Sequence, residues 1–192
     1  MDKILDSAMI FLYKGKELDK DEAEIVRYGL EILLIKLFFS TAILIMSIFM
    51  GSFWECIAFL ILFPMLRSYA GGYHAKTRIS CFISSMASFA LVFALIKLSL
   101  KVPFVSVILA VLALVSAGII WRFAPIDTEN KPLDNDEKSV FRKKTIIVMT
   151  IEFTISAIAF LFHWTQIQNA ALLSVILSGA LITVELKRHK TN

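Results

Sequence analysis

The chain has 192 residues, 58% of them hydrophobic, a mean hydropathy of +0.75 and a formal net charge of +4. A soluble domain is about half apolar, so the composition excludes an ordinary water-soluble fold and points to an all-α polytopic membrane protein. Two cysteines exclude a disulfide framework, and without nucleotide-binding glycine motifs neither a cofactor nor a nucleic-acid partner is expected.

Residues 1–16 read as an amphipathic helix lying in the membrane interface, with Ile4, Leu5, Met9 and Leu12 on one stripe and Asp2, Lys3, Asp6 and Lys14 off it. The same acidic residues rule out a secretory signal. A charged, helix-favouring stretch over 17–28 leads into a first span at about 30–50. Gly51-Ser52 marks a turn. The next apolar block, 53–66, is short for a span, and Pro64 is expected to disturb its last turn. A polar island follows at 67–80. Further spans cover about 82–100 and 103–121, hinged at Lys101-Val102-Pro103. A polar segment at 122–144 reads as a loop because of Pro125 and Pro132. The last two spans cover about 145–164 and 167–186. Together the six spans make one integral-membrane domain over 1–192.

Basic residues set the expected orientation. Arg67, Lys76 and Arg78 lie in the first polar loop, and Arg122, Lys131, Lys138 and the run Arg142–Lys144 in the second. The tail carries Lys187, Arg188 and Lys190, whereas the turns near 51 and 164–167 have no Lys or Arg and the other outer turn has only Lys97 and Lys101. Both polar loops and both termini are therefore expected in the cytoplasm.

The island Arg67–Cys81 holds His74, one of three histidines, and Cys81, one of two cysteines. A thiol and an imidazole there point to a cysteine nucleophile with its base. Seven residues of continuous helix would separate them by about 10 Å, so the backbone must bend between them. Gly71-Gly72 permits that bend. Ser80 is an acceptable N-cap, which would put Cys81 in the first turn of the next span, where a helix N-terminus favours a thiolate. The island has no carboxylate, so any group orienting His74 comes from elsewhere, with Glu55, Asp127, Asn130 and Glu152 as candidates; a Cys-His dyad acting alone is the alternative. Glu152 lies within the fifth span, either hydrogen-bonded at a helix contact or functional. Cys56, inside an apolar block, reads as a small buried side chain. One His and one Cys do not make a zinc site, so no metal is expected.

The pattern Arg67-x3-Gly71-Gly72-x-His74-Ala75-x5-Cys81 resembles the signature of the AgrB family of membrane peptidases, which serve peptide quorum sensing in low-GC Gram-positive bacteria. Ala124-Pro125…Asn130-Lys131-Pro132-Leu133 is similar to that family's other recurrent stretch. The resemblance implies a multi-pass cell-membrane cysteine endopeptidase with its catalytic loop on the cytoplasmic side. It would cut the C-terminal tail from an AgrD-like precursor peptide. Cys81 would be the nucleophile and His74 its base, and the thioester would then close to a thiolactone or lactone. It further assigns Arg67 to substrate or oxyanion contact, Gly71 and Gly72 to backbone shape, and Lys143-Lys144 to steering the acidic tail. Membrane lipids and a second copy of the chain are the other implied partners. The competing reading is a peptide transporter or membrane scaffold without protease activity. A metalloprotease is excluded because there is no His-Glu-x-x-His pair.

Overall fold

The computed structural model describes residue 7 and residues 19–73, 78–126 and 134–191. The helix expected over 1–16 lies, apart from Ser7, outside the described residues. Six helices follow in chain order: α1 (Lys20–Phe49), α2 (Phe53–Ala70), α3 (Arg78–Lys101), α4 (Pro103–Phe123), α5 (Asn135–Leu161) and α6 (Thr165–Thr191). All six are long and apolar enough to cross a membrane, and no strand occurs among the described residues. The chain is thus an all-helical, multi-pass membrane protein.

Two compact units divide it, Met1–Ile45 and Met46–Asn192. Most of α1 belongs to the first. The second holds α2–α6 and everything described below. Outward-facing Phe104, Val111, Leu114, Val115 and Phe160 are each more than half exposed, as side chains that face lipid must be.

Three helix ends differ from the sequence expectation. Pro64 does not end α2: the helix runs through it to Ala70 and takes in Arg67. A prolyl ring inside a helix costs one backbone hydrogen bond, which eighteen residues of otherwise continuous helix absorb. α3 begins at Arg78, so Ser80 lies inside the helix instead of capping it, and Cys81 closes the first turn. α5 starts ten residues before the expected span, at Asn135. Its amphipathic first turns carry Asp136, Glu137 and Lys138, which conceal the helix from a hydropathy reading. A capping box fixes that start: the Asp134 carboxylate accepts from the Asn135 amide at 2.7 Å, and Glu137 accepts from the Asp134 amide at 3.2 Å.

α6 is the central helix. It packs against α2, α3, α4 and α5, and 56% of its apolar window is buried, against 33% or less elsewhere. The α4–α6 approach is close enough that a Cβ on Gly179 would lie 2.7 Å from the Ser116 Cβ. Leu66 and Ala70 of α2, Ile120 of α4, Val148 and Met149 of α5, and Val175 and Ile182 of α6 form one buried cluster. An aromatic set joins α2 to α3: Phe59 meets Phe89 edge-on at 5.1 Å, and Phe89 meets Phe93 at 6.2 Å.

The opposite end of the bundle is tied by polar contacts. Lys97 donates to the Gly51 carbonyl at 2.7 Å. Fully buried Asn169 donates to Ser99 Oγ at 2.7 Å and to Ser106 Oγ at 3.0 Å.

Candidate active site

The site begins where α2 stops. Gly71 has φ 74° and ψ −157°, a backbone region that only glycine occupies comfortably, and Gly72 follows with φ 113°. Both are also crowded. A Cβ on Gly71 would lie 2.5 Å from the Ile126 carbonyl oxygen. One on Gly72 would lie 2.5 Å from Arg67 Nη1 and 3.2 Å from the Leu181–Ile182 peptide of α6. The chain thereby turns back across the end of the bundle. The Ile126 amide donates to the Ala70 carbonyl, and the Tyr73 amide donates to the Leu181 carbonyl, both at 3.1 Å.

Arg67 closes this turn from inside. Its Nη1 donates to the Gly71 carbonyl and its Nη2 to the Tyr73 carbonyl. Both nitrogens serve the loop, and the Arg67 side chain also lines the cavity that Cys81 lines.

Cys81 is a half-buried thiol on the first turn of α3. It opens on a cavity of about 420 Å³ between α2, α3 and α6. Arg67 and Tyr73 stand on the loop side of that cavity. Phe63, Phe89, Leu177, Leu181 and Val184 make its apolar walls, and Ser84, Ser85 and Ser88 continue the α3 face below the thiol. Ser84 is turned back onto its own helix, donating to the Ser80 carbonyl at 2.7 Å and the Cys81 carbonyl at 3.1 Å. The spacing Cys81, Ser84, Ser85, Ser88 is one helical face, a signal present in the sequence and passed over there.

The other candidates separate. His74, Asp127 and Asn130 lie outside the described residues. Glu55 is buried in the first turn of α2, about 18 Å along the axis from Arg67. Glu152 is fully buried beside Ser174 of α6. That is about 10 Å deeper than Leu181, where the loop docks. Lys143 is exposed, and Lys144 places its Nζ 5.2 Å from the Tyr69 ring, so the basic run reaches the end of α2 beside the loop. Cys56 is fully buried and away from the cavity lining.

Fold and cavity together define a multi-pass membrane protein with a thiol set at the mouth of a mostly apolar chamber, behind a glycine turn pinned to the central helix. Comparison with known proteins narrows this class. The family model for accessory gene regulator B, AgrB, matches residues 6–184, and the chain belongs to the AgrB family. It is 27% identical over 170 residues to AgrB-like protein 2 of Clostridium perfringens, covering 84% of this chain and 79% of that one. Accessory gene regulator protein B of Staphylococcus aureus is 30% identical over 161 residues, 81% of each chain. Protein FsrB of Enterococcus faecalis is 29% identical over 157 residues, 81% of this chain and 62% of that one. No solved structure matches the chain.

Proposed function

We propose that the chain is a membrane cysteine endopeptidase that removes the C-terminal tail of an AgrD-like precursor in peptide quorum sensing. The observation that carries this reading is the opening of Cys81 on a chamber large enough for several peptide atoms, beside the Gly71–Tyr73 turn that immediately precedes His74.

Cys81 Sγ attacks the scissile carbonyl, and His74 takes the thiol proton and gives it to the departing amine. The tail leaves with that amine as its new N-terminus, and the rest of the precursor stays as a thioester on Cys81. A Cys or Ser of the precursor then attacks the thioester carbonyl, which closes the ring and returns the thiol. The apolar walls of the chamber favour this route over hydrolysis by limiting water, and an internal nucleophile has a large effective concentration. Arg67, on the cavity wall, serves substrate or oxyanion contact as well as pinning the loop, and Lys143 with Lys144 steers the acidic tail. Both polar loops face the cytoplasm by their basic charge.

Intact mass spectrometry tests this on purified protein in lipid nanodiscs, incubated with the precursor peptide encoded beside it. The expected result is a mass gain equal to the N-terminal part of the precursor, removed by hydroxylamine and absent in Cys81→Ala. A folded protein that binds the peptide and gives neither adduct nor cleavage would overturn the assignment.

A further inference from the structure

The segment from Arg67 to Cys81 contains no carboxylate, and no Asp or Glu occurs between Glu55 and Asp127. Glu55 and Glu152 lie too far from the loop to serve it directly. One carboxylate on α6 is at the correct level. Glu185 is only 3% exposed and lies one turn beyond Leu181 and Ile182, the peptide against which Gly72 rests. The Leu181 carbonyl that accepts from Tyr73 is also the one that takes the Glu185 amide in the helical ladder. The Arg67 guanidinium sits over Gly72, on the loop side of this turn of α6, which sets it at the level of the bundle where Glu185 is buried. A carboxylate buried in this way is tolerated when a cation answers it. A guanidinium has five donors, so Arg67 can hold two loop carbonyls and still face Glu185.

We propose that Glu185 is a positioning residue of this site: it holds the Arg67 guanidinium against the Gly71 and Tyr73 carbonyls and so sets the Gly71–Tyr73 turn beside Cys81. The proposal rests on the reading of Cys81 and His74 as the reacting pair. Glu185 makes and breaks no bond in it.

Rapid-quench mass spectrometry of the Cys81 adduct, with precursor peptide and nanodisc-embedded protein, gives an acylation rate and a half-saturating concentration. Glu185→Gln keeps the shape and removes the charge. The expected result is an acylation rate at least tenfold lower with half-saturation within twofold of the parent, and partial recovery in Glu185→Asp. Because Glu185 acts through Arg67, the double variant Arg67→Lys/Glu185→Gln should react no more slowly than Arg67→Lys alone. A Glu185→Gln rate within twofold of the parent, or losses that multiply in the double variant, overturns the proposal. If Glu185→Gln does not assemble, Glu185→Asp decides: an unchanged rate overturns the proposal and a slower rate at unchanged half-saturation supports it.

A second readout needs no peptide. In the Cys56→Ala background, alkylation of Cys81 by iodoacetamide at neutral pH should slow several-fold in Glu185→Gln. Loss of a nearby negative charge alone would speed it, and that result also overturns the proposal. A parent protein that forms no peptide adduct would defeat the endopeptidase reading, while the alkylation comparison still judges Glu185.

Discussion

Gly72 shows how little room the loop leaves. Its φ of 113° is unfavourable for any side chain, and its Cβ position is already occupied on both sides, by Arg67 and by α6. Gly72→Ala should cost about 1–3 kcal/mol of local strain and move the loop off α6. The acylation rate should fall more than tenfold, while circular dichroism still reports the full helix content. Retained acylation would show that the turn is not part of the site. Cys56→Ala, by contrast, removes one buried sulfur from a different part of the bundle, so the adduct should form at nearly the parental rate. The two lysines should differ from each other. Lys143→Ala should raise the half-saturating peptide concentration at low salt and hardly at all at high salt, as exposed charge steering requires. Lys144→Ala should keep a salt-insensitive part, because it also loses the contact with Tyr69, worth about 0.5–1 kcal/mol at an exposed position. Titrating peptide binding at two ionic strengths separates them.

The α4–α6 contact belongs to the scale of elements. Gly179→Ala would drive a methyl group into Ser116 and should destabilise the bundle by about 1–3 kcal/mol, read as a lower thermal unfolding temperature in nanodiscs. Adding Ser116→Gly to that variant should restore part of the loss. At this scale the sequence is a good guide to where helices exist and a poorer one to where they end. Six apolar blocks, a hinge at Pro103 and a turn at Gly51 are all visible in hydropathy and in glycine and proline placement. The charged start of α5 is not, because a window that scores apolarity discards Asp136 to Lys144 although the capping box at Asp134 announces a helix. Cys81, Gly71 and Gly72 are legible from their local pattern. Glu185 is not, since nothing local says which wall of α6 the loop will lean on. That depends on an approach between residues more than a hundred positions apart, of which the Tyr73–Leu181 hydrogen bond is the trace.

For the whole molecule, the basic loops predict that the Cys81 end faces the cytoplasm. In the Cys56→Ala background a membrane-impermeant maleimide should label Cys81 in inverted vesicles and spare it in right-side-out ones; the reverse pattern would invert the topology. The transporter reading needs a polar path through the bundle, yet the chamber's α3 lining ends at Phe89, whose ring packs on Phe59 and Phe93, both fully buried. α6 leaves the ribosome after the four helices it joins, and it carries both the docking surface for the glycine turn and Glu185. The first five helices can enter the bilayer one by one, but the turn beside Cys81 has nothing to lean on until the last segment arrives. The turn beside Cys81 therefore takes its place only after α6 has joined the helices made before it.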